Sequence, residues 1–257
     1  MSETEPGAAL VTGAARRIGR AIAETLARRG HAVAIHYRAS AEDAARAAAA
    51  IESAGGRAVA LAADLADEPE AGTLIARVEA ALGPVTVLVN NASVFEHDSV
   101  ATASRESWDR HMETNLRAPF VLMQSMAAAL PADRAGNIVN ILDERVWNLT
   151  PHFVSYTLAK AGLWTLTRTM ALALAPRIRV NGVGPGPTLP SPRQSREQFD
   201  RQAGMMPLGR GTAPAEVAEA VEFILRAPAM TGQMIALDGG QHLGWAQPPR
   251  GAEPVSE

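Results

Sequence analysis

Short apolar runs rich in β-branched residues alternate along this chain with longer stretches of helical periodicity, and that alternation restricts the fold more than any other feature. Strands buried on both faces read as continuous apolar runs, and helices between them make the crossovers of a parallel sheet. The runs predict strands at Ala8–Thr12, His31–His36, Arg57–Ala62, Val85–Asn90, Gly136–Leu142, Ile178–Gly184 and Gln233–Leu237. Helices are expected at Gly19–Arg29, Glu42–Ser53, Glu70–Leu82, Glu106–Leu130, Phe153–Ala175 and Pro214–Leu225. Gly30, Gly55 and Gly83 follow three of these helices, where a left-handed cap favours glycine. No linker, composition break or repeat divides residues 1–257, so a single doubly wound α/β domain of about seven parallel strands flanked by helices is expected, its core about 8–240. Two regions stand outside the pattern. Residues 188–211 are rich in proline and arginine around a short helical middle and form a candidate substrate lid. The tail, 241–257, ends in polar residues and is expected to be mobile.

Composition removes several functions. Without cysteine the chain has no disulfide, no thiol nucleophile and no cysteine-bound metal. Its six histidines form no His-Glu-x-x-His pair, so no metal site is expected. A net charge of −3 lacks the basic signature of nucleic-acid binding. Hydrophobic residues make up 47% of the chain, enough for a substantial core, yet no apolar run approaches the roughly 18 residues of a membrane helix. The N-terminus lacks the basic-then-apolar order of a signal peptide. The expectation is a soluble, cytoplasmic protein acting on a small molecule, with no nucleic-acid or membrane partner.

Chemistry concentrates at two places. Tyr156 and Lys160 stand four residues apart, and Asp143 lies thirteen residues before the tyrosine. A helix carries i and i+4 on one face, so phenol and ammonium can share a pocket. A neighbouring ammonium favours the phenolate and lowers the tyrosine pKa, which suits it to pass protons near neutral pH. Near the N-terminus, Thr12-Gly13-Ala14-Ala15-Arg16-Arg17-Ile18-Gly19 leads from the first strand into a helix. Glycines there let the backbone approach a pyrophosphate, and the helix start offers free N–H groups and positive dipole. The second strand ends in His36-Tyr37-Arg38-Ala39-Ser40, with no acid before Glu42 to bind a ribose 2′-hydroxyl. Arginine and serine suit a 2′-phosphate instead, so NADPH is expected over NADH. Ser40 can also cap the next helix, with Asp43 completing a capping box.

These segments resemble the short-chain dehydrogenase/reductase family over roughly residues 8–240, which implies a Rossmann-type fold. Asn90-Asn91-Ala92-Ser93 is similar to the family's Asn-Asn-Ala motif lining the cofactor cleft. Asp64-Leu65 resembles its adenine-contacting segment, and Pro185-Gly186 with Thr188 resembles the loop that fixes the nicotinamide. Leu237-Asp238-Gly239-Gly240 matches its usual terminal segment. The resemblance implies an NADP cofactor (NADPH when reduced) held by Gly13, Arg16, Arg17, Ile18, Gly19, Tyr37, Arg38, Ser40, Asp64, Leu65, Asn91, Ala92, Ser93, Tyr156, Lys160, Pro185, Gly186 and Thr188. It also implies a catalytic group of Asn115, Asp143, Tyr156 and Lys160. Tyr156 would relay the proton, Lys160 would bind the ribose hydroxyls, and Asn115 would help hold a water near the lysine. Members commonly form homotetramers through helices corresponding to Glu106–Leu130 and Phe153–Ala175.

Departures from the family pattern narrow the substrate. Arg17 replaces a glycine of the first motif, and Asp143 replaces the usual serine. Both resemble the pteridine reductase branch, as does Phe95, placed where that branch stacks a flat heterocycle against the nicotinamide. An ionised carboxylate cannot donate to a carbonyl oxygen and would repel developing alkoxide charge. It suits a substrate offering N–H donors or a ring nitrogen to protonate. Arg17, Ser93, Phe95, Asp143 and Tyr156 are therefore the expected substrate residues. Read singly, Arg17 fits a solvated helix-start arginine, Asp143 a loop cap and Phe95 a core residue. The expected activity is NADPH-dependent reduction of a pterin-type heterocycle. The alternatives are reduction of a ketone, aldehyde or 3-oxoacyl thioester, and a non-catalytic NADP-binding sensor. His97, Trp147 and His152 lie in segments flanking the cleft without an assigned role.

Overall fold

The computed structural model describes residues 6–191 and 193–244. Seven strands form: β1 (Ala8–Val11), β2 (Ala32–Tyr37), β3 (Ala58–Ala62), β4 (Val85–Asn90), β5 (Gly136–Ile141), β6 (Ile178–Pro185) and β7 (Met234–Leu237). They make one sheet in the order β3-β2-β1-β4-β5-β6-β7, every neighbouring pair parallel. The chain runs from β1 outward to one edge and returns to place β4 on the other side of β1. At that switch point the carboxyl ends of β1 and β4 open into a crevice, the place where such sheets bind ligands.

Eight α-helices accompany the sheet among the described residues: α1 (Arg17–Arg28), α2 (Ala41–Ser53), α3 (Glu68–Leu82), α4 (Arg105–Met112), α5 (Ala118–Ala129), α6 (Val154–Leu174), α7 (Arg196–Gly204) and α8 (Pro214–Arg226). Alternation along each strand divides the core in two. Leu10, Leu88 and Ile138 face α3, α5 and α6, whereas Val11, Val89 and Val139 face α1, α2 and α8. All six side chains are fully buried, each contributing about 1.5–3 kcal/mol from apolar area removed from water. No helix among the described residues is long and apolar enough to cross a membrane.

The expected elements recur with instructive shifts. Gly30, Gly55 and Gly83 all take positive φ after their helices. The long helix expected at Glu106–Leu130 is instead α4, a π-helical turn at Glu113–Arg117, and α5. Such turns insert a residue into the helical ladder and often mark functional positions. Helix α3 starts at Glu68 because Asp67 caps it, accepting from Glu70 N–H at 3.1 Å. The capping box expected of Ser40 and Asp43 does not form. Ser40 makes no side-chain cap bond, and Asp43 pairs with Arg46 and Arg16. The helical middle of the 188–211 segment is α7. Most of the tail expectation falls on 245–257, outside the described residues, while Gln241–Leu243 forms one 3₁₀ turn.

Candidate active site

The crevice at the sheet's switch point begins with the turn after β1. Gly13 has φ +61°, and a side chain there would sit 2.9 Å from Ala92 Cα. A Cβ on Gly19 would strike Gly13 O, so both glycines keep the backbone open. Helix α1 starts just beyond, with no side-chain cap and no acid in its first turn. Its leading N–H groups and dipole are left for an anion. Thr12 Oγ1 accepts from both Asn91 N–H and Ala92 N–H at 2.9 Å, and Asn91 Nδ2 donates to Thr12 O at 2.8 Å. These bonds join the β4 exit to the β1 exit.

One residue here escaped the sequence reading. Gly13 N–H donates to His36 Nδ1 at 3.0 Å, which leaves Nε2 as the protonated nitrogen bonded to Ala63 O at 3.1 Å. Burial, ahead of its other influences, pushes the His36 pKa down and keeps the ring neutral in that tautomer. His36 is thus the prop that holds the glycine turn. A polar residue in the apolar run AVAIHY was its only sequence signal.

Gly13, Arg16, Arg17, Ile18, Gly19, Tyr37, Arg38, Ser40, Asp64, Leu65, Asn91, Ala92 and Ser93 all line one cavity of about 460 Å³. A second cavity, about 300 Å³, is lined by Arg17, Ser93, Phe95, Asp143, Tyr156, Lys160, Pro185, Gly186 and Thr188. Arg17, Ile18, Asn91 and Ser93 border both, so the two halves form one cleft. Asn115 borders neither. It is fully buried on the π-helical turn, and its Oδ1 and Nδ2 pair with Val94 N–H and Val94 O, each at 2.8 Å. Its side chain therefore fastens the loop after β4.

At the second cavity Tyr156 O–H donates to Asp143 Oδ2 at 2.7 Å. Asp143 also accepts from Arg145 N–H at 2.9 Å, as the cap of a 3₁₀ turn at Glu144–Val146. Its loop-cap role and its pairing with the tyrosine hold together. Lys160 is 2% exposed and donates to Ile141 O at 2.7 Å. Burial lowers its pKa to about 8, against an opposing pull from Asp143. The Tyr156 pKa moves opposite to the sequence expectation. Burial raises it well above 10, and Asp143 raises it further. Lys160 does not offset this, because its ammonium is directed at the Ile141 carbonyl and lies 5.8 Å from the phenol ring centre.

Arginines and aromatics complete the wall. Phe95 stacks on Phe153 at 4.5 Å and 8°, and meets the Tyr156 ring edge-on at 4.7 Å. Phe153 sits at φ +57°, a left-handed conformation that costs a non-glycine residue about 1–2 kcal/mol. Arg17, the other positive-φ non-glycine residue among those described, donates to Pro190 O at 2.9 Å and Leu189 O at 3.3 Å. It clasps the 188–211 segment rather than pointing freely into solvent. Arg193 of that segment donates to Phe95 O at 3.1 Å. Phe153 and Arg145 were not singled out from the sequence, since only the fold brings them to Phe95. His97 and His152 pack against one another, and Trp147 against Trp164 and His242. None of the three lines the cleft. No cluster of histidine, aspartate and glutamate among the described residues could hold a metal ion.

Known proteins resemble this chain in sequence and in fold. A family model described as enoyl-(acyl carrier protein) reductase matches residues 13–242. The 3-oxoacyl-[acyl-carrier-protein] reductase FabG of Staphylococcus epidermidis is 33% identical over 240 residues, covering 91% of this chain and 98% of its own. FolM alternative dihydrofolate reductase 1 from Brucella canis, crystallised with NADP, is 47% identical with a TM-score of 0.92, covering 95% of this chain and 97% of its own. Its counterpart from Brucella suis, also with NADP, is 48% identical with a TM-score of 0.91 over 94% and 97%. A short-chain dehydrogenase/reductase from Serratia marcescens is 32% identical, TM-score 0.85, over 91% and 97%.

Proposed function

The chain belongs to the short-chain dehydrogenase/reductase family, and from that premise we propose that it is an NADPH-dependent reductase of pterin-type heterocycles such as a dihydropterin or dihydrofolate. The observation that carries this is the Tyr156–Asp143 hydrogen bond beside the Phe95 ring. Asp143 receives hydrogen bonds from Tyr156 and from Arg145, so it acts as an acceptor. A ketone oxygen gathering negative charge needs donors, and an acceptor there works against it. A bicyclic heterocycle with N–H donors at its edge and a ring nitrogen to protonate matches an acceptor paired with a phenol. The Brucella relatives, dihydrofolate reductases at 47% and 48% identity, support the same substrate class.

The cleft fits the cofactor. Gly13 and Gly19 form a cradle that a Cβ would fill, beside an uncapped helix start suited to a pyrophosphate. Arg16, Arg38 and Ser40 stand where a 2′-phosphate would be recognised, with Ser40 unused as a cap. Asp64 and Leu65 would meet the adenine, and Pro185, Gly186 and Thr188 the nicotinamide end. When bound, NADPH supplies the hydride for a pyrazine-ring carbon. Tyr156 keeps its proton until substrate arrives, because burial and Asp143 both hold it on the phenol oxygen. It would then deliver that proton to the adjacent ring nitrogen and regain one from solvent, while Asp143 accepts from the N–H edge of the heterocycle. Lys160 would meet the ribose hydroxyls, Asn115 keeps the Ser93–Phe95 loop in place, and Arg17, Ser93 and Phe95 would bind the heterocycle. The same reading includes a homotetramer built through α4–α5 and α6, supported by the exposed Leu158 and Leu172 on α6, and a cytoplasmic setting. Solution mass checks the former.

The FabG relatives support a second reading, reduction of a 3-oxoacyl thioester. A substrate panel separates the two. NADPH oxidation with a dihydropterin and not with an acetoacetyl thioester is expected; the reverse preference would overturn the proposal.

A further inference from the structure

Beneath the aromatic wall lies a buried polar chain with no assigned part in the reaction. Asp98, His111 and Ser155 are 1%, 0% and 0% exposed, and come from the loop after β4, from α4 and from the first turn of α6. A backbone donor fixes every proton in it. Glu96 N–H donates to His111 Nε2 at 3.1 Å, so the ring proton sits on Nδ1 and is given to Ser155 Oγ at 2.7 Å. Ser155 O–H then has one direction left, and it donates to Asp98 Oδ2. This order is the reverse of a nucleophilic triad, in which histidine takes the serine proton. The chain therefore holds atoms in place and activates none.

What it holds is the substrate wall. Asp98 Oδ1 accepts Ser155 N–H at 3.3 Å, placing a carboxylate at the start of α6, which has no side-chain cap of its own. Asp98 O accepts Phe153 N–H at 2.8 Å and so ties down the left-handed residue that precedes the helix. Phe153 stacks on Phe95, three residues before Asp98, while Tyr156 follows Ser155 directly. His111 also meets the Tyr156 ring edge-on at 6.0 Å.

We propose that Asp98, Ser155 and His111 are positioning residues that lock the Phe95–Phe153–Tyr156 wall in its substrate-ready geometry. This rests on the reading that Phe95 and Tyr156 meet the substrate. The network does not touch the cofactor cradle, so its loss acts on substrate and spares NADPH.

The test compares wild type, Ser155→Ala, Ser155→Thr and Asp98→Asn in NADPH oxidation with a dihydropterin, alongside crystal structures of wild type and Ser155→Ala. Ser155→Ala and Asp98→Asn are expected to raise the dihydropterin KM about tenfold and to lower kcat about tenfold, with NADPH KM within about twofold. Ser155→Thr, which keeps the hydroxyl, restores the wild-type KM. The Ser155→Ala structure loses the stacked contact between Phe95 and Phe153. An unchanged KM with the stack intact would overturn the proposal, as would equal losses toward substrate and cofactor. Should Ser155→Ala not fold, Asp98→Asn and Ser155→Thr give the same contrast. Wild type inert toward dihydropterins would instead sink the functional reading. The two crystal structures would still decide the positioning role: an intact stack in Ser155→Ala refutes it, and a broken one supports it.

Discussion

The two halves of the cleft are built by different means. The cofactor end is joined by short links to backbone atoms: Thr12 to Asn91 and Ala92, and His36 to Gly13 and Ala63. The substrate end is assembled largely from side chains meeting side chains, with Tyr156 on Asp143 and Phe95 against Phe153 and Tyr156. A cradle of main-chain atoms suits one kind of group, in the proposed function a phosphate-bearing dinucleotide, and a Cβ on Gly13 or Gly19 would fill it. A wall of rings, arginines and one carboxylate can be retuned residue by residue. Among the described residues, both non-glycine residues with positive φ, Arg17 and Phe153, touch the substrate end, where strain is held in place by surrounding contacts.

Substitutions at the two ends should separate them. Tyr156→Phe removes the proposed proton donor and should lower kcat about 10³-fold, within the span of general acid catalysis. Fluorescence titration should show NADPH affinity within about twofold of wild type; a matching loss of cofactor binding would dissolve the distinction between the halves. Gly13→Val should do the opposite. A branched side chain at φ +61°, pressed against Ala92, adds about 1–2 kcal/mol of backbone strain and should weaken NADPH binding at least about tenfold. Wild-type affinity in that variant would remove the cradle from the account.

The smallest effect concerns pH. Burial depresses the pKa of His36 and of His111; Asp98 and Glu96 pull His111 back up while Arg110 pushes it down, and Arg77 and Asp64 act on His36 in the same opposed way. Both rings are neutral in the folded chain at pH values where the unfolded chain already binds protons. Their contribution is complete above about pH 6.5, the unfolded value, and is lost as pH falls below it. Urea midpoints measured between pH 8 and pH 5 should decline on the acid side, and less steeply in His36→Asn. A flat profile would contradict the buried, neutral assignment.

The same division governs what the sequence discloses. The cofactor end is legible because glycines, a strand-to-helix turn and Asn91-Ala92 act through local backbone, so their spacing survives without the fold. Tyr156 and Lys160 are legible because one helix carries both. His36 is hidden, since its partners Gly13 and Ala63 lie just past the ends of two other strands. Phe153 and Arg145 are hidden as well, for nothing local announces a ring or a guanidinium placed against Phe95. The Tyr156 pKa is missed for a related reason: one helix face predicts that Lys160 is near, but only the folded chain shows its ammonium turned to Ile141. The break at Glu113–Arg117 is likewise not written in a run whose periodicity is helical on both sides.

The proposed function turns on Asp143 selecting a nitrogen heterocycle over a carbonyl. Its most direct test is the kcat/KM of Asp143→Ser for a dihydropterin and for an acetoacetyl thioester, each against wild type. Dihydropterin reduction should fall about 10²-fold, the scale of a lost acid–base partner, while thioester reduction holds or rises. Undiminished dihydropterin reduction in Asp143→Ser would contradict the account.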